Sequence, residues 1–170
     1  PFLEEPMIRT TALLLTVVAA LGSAGAAAAE TAFGDISTEY EAIRQALMKD
    51  STASVREHAQ AIQLIASRLS QNFSAASAGV GESDAPVVRQ LLPEIIERSG
   101  ALAAADGLAA IRTALAELTK PLVRYHRLVQ GNRPVVAYCP MEKKSWIQPD
   151  QAIGNPYAPS MLRCGEIVQR

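Results

Sequence analysis

Cysteine and histidine are scarce in this chain of 170 residues, which holds two of each. Two cysteines cannot supply the paired Cys-x-x-Cys motifs of a structural zinc site, and there is no Cys-x-x-Cys-His motif for haem attachment. The sequence also lacks a nucleophile elbow, a phosphate-binding loop and a metalloprotease helix. Because these motifs are absent, we expect that the protein is not an enzyme.

An excess of positive charge is also absent. The chain has 16 Lys and Arg residues against 17 Asp and Glu residues, and its formal net charge is −1. Proteins that bind nucleic acid through phosphate contacts normally have a surplus of basic residues. We therefore expect no nucleic-acid partner, and the charge gives no reason to expect an acidic membrane surface as a partner either.

An apolar run long enough to span a bilayer is missing, but a shorter one lies near the N-terminus. Residues 11–21 are mostly apolar, whereas a membrane-spanning helix needs about 20 such residues. Arg9 precedes this run and small residues follow it, which is the pattern of a secretory signal peptide. We interpret residues 1–29 as an upstream extension with a signal peptide and residues 30–170 as one periplasmic domain. The mature chain is expected to have no membrane span.

Hydrophobic periodicity predicts helices over about residues 36–129. In the first helix Ile36, Tyr40, Ile43 and Leu47 recur at spacings of four, three and four residues, which places them on one face. Three further segments have a similar apolar face. Four amphipathic segments with short connections are buried most economically as an up-down four-helix bundle. The sequence therefore predicts an all-α domain of this type.

A different pattern occupies the last part of the chain, about residues 131–170. Residues 133–138 and 166–168 are β-prone, and a Pro-rich stretch separates them. If these two pieces pair as antiparallel strands, Cys139 and Cys164 meet at the mouth of the loop between them. We therefore expect a short, irregular, hairpin-like tail after the helices.

Four sulfur-bearing side chains lie at the two ends of this loop. Cys139 and Met141 are at its start, and Met161 and Cys164 are at its end. Thiolates and thioethers are soft ligands, which favour Cu(I) or Ag(I) over hard cations. His126, just before the tail, is a candidate auxiliary ligand. These residues predict a sulfur site for copper or silver.

The same two cysteines have a second interpretation. In an exported protein, a pair of cysteines commonly forms a disulfide. A bond between Cys139 and Cys164 would close a loop of about 25 residues and stabilise the fold by roughly 3.5 kcal/mol in the chain-entropy treatment. The protein would then be a disulfide-stapled helical interaction module without a metal. The residues alone leave both interpretations open.

The tail also resembles a known family of bacterial domains. The residues that carry the resemblance are Tyr138-Cys139-Pro140-Met141, Ser145-Trp146, Asn155-Pro156-Tyr157, Met161-Leu162 and Cys164-Gly165-Glu166. They resemble an exported domain family of unassigned activity, which occurs alone or fused to periplasmic adaptor (membrane-fusion) subunits of copper and silver efflux pumps. This sequence departs from the family pattern at Ala158 and Pro159.

The resemblance implies a periplasmic protein that handles heavy metals. Its role would be to buffer Cu(I) or Ag(I), or to deliver the ion for efflux, with adaptor or pump components as partners. The residues of this chain that match the family motif are Cys139, Met141, Trp146, Met161 and Cys164. Because the activity of the family is itself unassigned, the resemblance supports a metal role without specifying the chemistry.

Overall fold

The computed structural model describes residues 31–169. The predicted signal peptide, within residues 1–29, lies outside this range. The elements of the described range are α1 Ala32–Met48, α2 Val55–Gln71, α3 Ala75–Ala78, α4 Ala85–Ala104, α5 Leu108–His126, β1 Val135–Cys139, β2 Lys144–Gln148, a 3-10 turn Pro159–Met161 and β3 Glu166–Gln169. Four long helices therefore come first, and a small β region follows.

The predicted apolar face of the first helix is confirmed. Ile36, Tyr40, Ile43 and Leu47 are all buried on α1, where a spacing of three and four residues keeps them on one side. The helix begins four residues before Ile36, because the Thr31 hydroxyl caps its first turn by accepting a hydrogen bond from the Gly34 N–H at 3.2 Å.

The long helices pack against one another in chain order. α2 lies against both α1 and α4, and α4 also packs on α5. The expectation of a mostly helical chain is thus confirmed, but the all-α assignment is incomplete because the tail forms a sheet. None of the helices within residues 31–169 is long and apolar enough to cross a bilayer.

The sheet has three antiparallel strands in the order β2-β1-β3. Pairing of β1 with β3 confirms the predicted pairing of residues 133–138 with residues 166–168. The sequence did not predict β2, which pairs with β1 across a turn at residues 140–143 and packs on α5 and α1. Through β2, Trp146 and Ile147 join the same apolar core as the helices. The tail is therefore docked on the helical part of the molecule.

Candidate functional site

A disulfide bond joins Cys139 to Cys164. Cys139 is the last residue of β1 and Cys164 lies two residues before β3, so the antiparallel pairing of these strands brings both cysteines to one end of the sheet. Their Cα atoms are 5.6 Å apart. Cys139 is fully buried, whereas Cys164 is partly exposed. The prediction that the cysteines meet at the mouth of the loop is confirmed, and here they are bonded to each other.

Trp146 lies against the backbone beside the disulfide. Its side chain is fully buried, and its Nε1 donates a hydrogen bond to Gln148 Oε1 at 2.7 Å. Gly165, next to Cys164, has a φ of +147°, and a Cβ at this position would lie 2.5 Å from Trp146 Cη2. A glycine is required here because the chain crosses the indole ring too closely for any side chain. Close packing therefore explains both residues of the tail motif.

The Asn155-Pro156-Tyr157 segment folds the long loop back onto β2. Asn155 is buried, and its Oδ1 accepts a hydrogen bond from the Tyr157 N–H at 2.8 Å, which forms a local turn. The Tyr157 hydroxyl donates to the Ser145 carbonyl at 2.8 Å. The Trp146 and Tyr157 rings meet edge to face, with their centroids 6.3 Å apart. The turn at Asn155 and the contacts of Tyr157 therefore give this part of the motif a structural role in the loop.

Arg112 of α5 anchors the loop to the helices. Its Nε donates to the Pro156 carbonyl at 2.9 Å, and its Nη2 donates to the Leu47 carbonyl at 2.9 Å and to Asp50 Oδ1 at 2.6 Å. Sequence reasoning missed this residue, because an arginine on an amphipathic helix normally faces solvent. Arg112 therefore links α1, α5 and the tail through a single guanidinium.

A buried pair of tyrosines lies beneath the loop. The Tyr40 hydroxyl is 2.7 Å from Thr119 Oγ1, and Thr119 Oγ1 is 3.4 Å from the Tyr157 hydroxyl. Burial raises the pKa of Tyr40 to about 12 and raises the pKa of Tyr157 well above its ordinary value. Both phenols therefore stay protonated at neutral pH, and these hydrogen bonds hold α1, α5 and the tail together.

The two methionines of the predicted sulfur site differ in exposure. Met141 lies in the turn between β1 and β2 and is 71% exposed. Met161 ends the 3-10 turn and is partly exposed, and its carbonyl accepts a hydrogen bond from the Cys164 N–H at 2.8 Å. The structure therefore brings the two cysteines together and leaves the Met141 thioether accessible to solvent, two residues away from Cys139.

His126 lies at the other end of β1. Its side chain is buried, with Nε2 2.6 Å from the Pro134 carbonyl. Burial lowers the pKa of this imidazole, and the charges of Arg133 and Arg127 lower it further, so its neutral form donates from Nε2. Pro134 and Cys139 are separated by about 16 Å of extended strand. The structure therefore does not bring His126 to the sulfurs.

Within residues 31–169, no three side chains of His, Cys, Asp or Glu gather as a metal-binding group. The predicted sulfur set is of another kind, since two of its four members are methionines. Comparisons of the chain with protein-family models, with curated proteins and with solved structures gave no match. The resemblance to the exported domain family and the periplasmic location therefore stay predictions.

Proposed function

We propose that this protein is a periplasmic Cu(I)- or Ag(I)-binding protein that buffers the ion or delivers it to efflux components. The observation that carries the proposal is the pairing of β1 with β3, which holds Cys139 and Cys164 together at one end of the sheet. Met141 and Met161 lie close to them in the chain and extend the set of soft ligands. In this proposal the four long helices form an up-down bundle that supports the tail.

The proposed site binds metal only in the reduced protein, because the thiolate is the ligand form of cysteine. A dithiol reductant supplies two electrons and two protons, the S–S bond breaks, Cys139 and Cys164 become thiols, and the reductant becomes a disulfide. Each thiol then releases its proton to solvent as it binds the ion. The ion keeps its oxidation state, so no further oxidant or reductant is needed.

Native mass spectrometry of the purified protein tests this proposal. The disulfide form and the reduced form are each mixed with one equivalent of Cu(I) without oxygen, after the reductant has been removed. We expect one bound Cu(I) in the reduced form and at least tenfold weaker binding in the disulfide form. Failure of the reduced form, with both thiols free, to bind Cu(I) would rule out the sulfur site.

Variants of the four sulfur residues refine the test. Cys139→Ser and Cys164→Ser should each abolish tight binding, whereas Met161→Leu and Met141→Leu should weaken it less, since a thioether is a neutral and weaker ligand. Val168→Ala, on the exposed side of β3, is the surface control and should bind as the unmodified protein does. Unchanged Cu(I) affinity in either cysteine variant would contradict the thiolate model.

The disulfide itself favours a second candidate function, a stapled helical interaction module without a metal. In that case Cys139 and Cys164 serve only to hold the loop of the tail closed, and the protein docks on a partner. Reduction would then lower the melting temperature, and Cu(I) would not raise it again. Protein isolated from the periplasm of copper-exposed cells would be metal-free, with a mass two hydrogens below that of the dithiol form.

A further inference from the structure

A groove separates α5 from the turn that joins β1 to β2. One wall is the face of α5 from Thr113 to the C-cap residue Arg127, and the other wall is formed by residues 142–145. We call it the α5 groove. Its volume is about 520 Å³, within the range of pockets that hold small organic molecules.

The lining of the α5 groove is strongly cationic. The basic residues are Lys120, Arg124, Arg127, Lys143 and Lys144, and the acidic residues are Glu117 and Glu142. Glu117 and Glu142 each form an ion pair with a lysine of the groove. Lys120 Nζ lies 2.6 Å from Glu117 Oε1, and Lys144 Nζ lies 3.2 Å from Glu142 Oε2. Five positive charges against two negative ones leave the lining with a net charge of +3.

The three remaining cations have no carboxylate within the groove. Arg127 donates from Nε and Nη2 to the side-chain oxygen of Gln169, both at 2.9 Å, in the amide orientation that satisfies both partners. Arg124 pairs only at 3.4 Å, with Glu94 outside the groove. No ion pair or hydrogen bond engages the side chain of Lys143 in the described part of the chain. The positive field of these groups is therefore available to a bound anion.

The helical wall arranges charge and apolar surface side by side. Lys120, Arg124 and the C-cap residue Arg127 follow one another at spacings of four and three residues, so they form a stripe along one face of α5 and its C-terminal end. Ala116 and Val123 of the same helix line the groove next to this stripe and pack on the apolar core. A ligand in the groove therefore meets cations together with an apolar surface.

We propose that the α5 groove binds a small organic anion, a carboxylate, sulfonate or phosphate carried on an apolar body. The anionic group pairs with cations that line the groove, such as Arg127 or Lys143, and the apolar body covers Ala116 and Val123. Charged pairing in a partly enclosed groove is screened less than on an open surface. This site is separate from the proposed sulfur site and does not depend on it.

Isothermal titration calorimetry with 2-naphthalenesulfonate tests the proposal. Neutral 2-naphthalenemethanol tests the need for charge, and inorganic phosphate tests the need for an apolar body. We expect each of these two controls to bind at least tenfold more weakly than the sulfonate. Equal binding of the neutral compound would overturn the proposal, because the cations would then contribute nothing.

Variants locate the binding to the α5 groove. Arg127→Gln combined with Lys143→Asn should weaken sulfonate binding at least tenfold, and asparagine is chosen because Lys143 has a φ of +52°, which asparagine tolerates. Ala116→Leu, which fills the groove, should weaken binding without removing a charge. Arg56→Gln, an exposed change on α2, is the control and should have no effect. Unchanged affinity in both groove variants, with melting temperatures equal to the parent protein, would overturn the proposal.

Discussion

The helical part and the tail of this molecule are held together in different ways. The helices bury regular rows of aliphatic residues, so each residue shares its contacts with many neighbours on adjacent helices. The tail has short strands and depends on a few special features: one tryptophan, one disulfide and one glycine under the indole. Single substitutions in the tail should therefore have large and separable effects, whereas surface changes on the helices should have small ones.

Removal of the Trp146 side chain should cause the largest loss of stability in the tail. Trp146 is fully buried and packs on Tyr157 and Gly165, so Trp146→Ala should lower the free energy of unfolding by about 3–5 kcal/mol. Equilibrium urea unfolding measures the loss. Leu64→Ala, at a helical position that is 50% exposed, is the surface control and should change stability by less than about 0.5 kcal/mol. A loss under about 1 kcal/mol for Trp146→Ala would show that the tail is not held by this residue.

Opening the disulfide should have the next largest effect. The bond spans a sequence separation of 25 residues, which corresponds to about 3.5 kcal/mol in the chain-entropy treatment. The melting temperature of the unmodified protein should fall when reductant is added. The double variant Cys139→Ala with Cys164→Ala should melt at the lower temperature, and reductant should not change it. If reductant lowers both melting temperatures equally, the effect does not come from this bond.

A glycine substitution separates backbone strain from packing on Trp146. Gly165→Ala places a methyl group against the indole and forces alanine to a positive φ, which should cost about 2–3 kcal/mol in total. Gly131→Ala is the control for a positive φ without crowding, because Gly131 has a φ of +79° and no atom within 4 Å of an added Cβ. The control should cost only the strain, about 1 kcal/mol. Equal losses in urea unfolding would mean that the indole moves away without cost.

The helical faces and the meeting of the cysteines could be predicted from the sequence because each has a local signal, apolar periodicity for the helices and β-propensity for the two strands. Ile36 and Leu47 are buried as their spacing predicts, and antiparallel pairing of two β-prone pieces brings Cys139 to Cys164. Strand β2 could not be predicted in this way. Its residues Lys144, Ser145 and Gln148 are polar, and it becomes a strand through its pairing with β1 and its packing on α5.

The candidate sites were less accessible to sequence reasoning than the fold. Cys139 and Cys164 were compatible with a bond or with a metal, and the structure shows the bonded state. No local sequence pattern predicted the α5 groove, because Arg124 and Arg127 look like ordinary basic residues on the solvent-exposed side of a helix and its end. Only the fold places Lys143 of the turn in the same groove. The groove therefore depends on contacts between distant segments of the chain, which a local sequence pattern does not predict.

The smallest expected effect concerns His126, at the junction of the helices and the tail, and it appears only at low pH. Burial lowers the pKa of His126 below the ordinary value of 6.5, so the unfolded chain binds a proton more readily than the folded protein does. The free energy of unfolding should therefore be unaffected above pH 6.5. It should fall as the pH drops from 6.5 towards the lower pKa of the folded state.

The variant His126→Gln isolates this effect from the titration of carboxylates. Glutamine keeps an N–H that can donate to the Pro134 carbonyl, but it does not titrate in this range. Urea unfolding at pH 7.5 and pH 5 should show a larger loss of stability in the unmodified protein than in the variant. His58→Gln, at the histidine whose Nδ1 lies 2.6 Å from Glu39 Oε2 on the helical side, is the control for the second histidine. If the change in pH lowers the free energy of unfolding of the unmodified protein and of His126→Gln equally, protonation of the buried imidazole does not affect stability. The acid sensitivity of the protein must then arise from its other titratable groups.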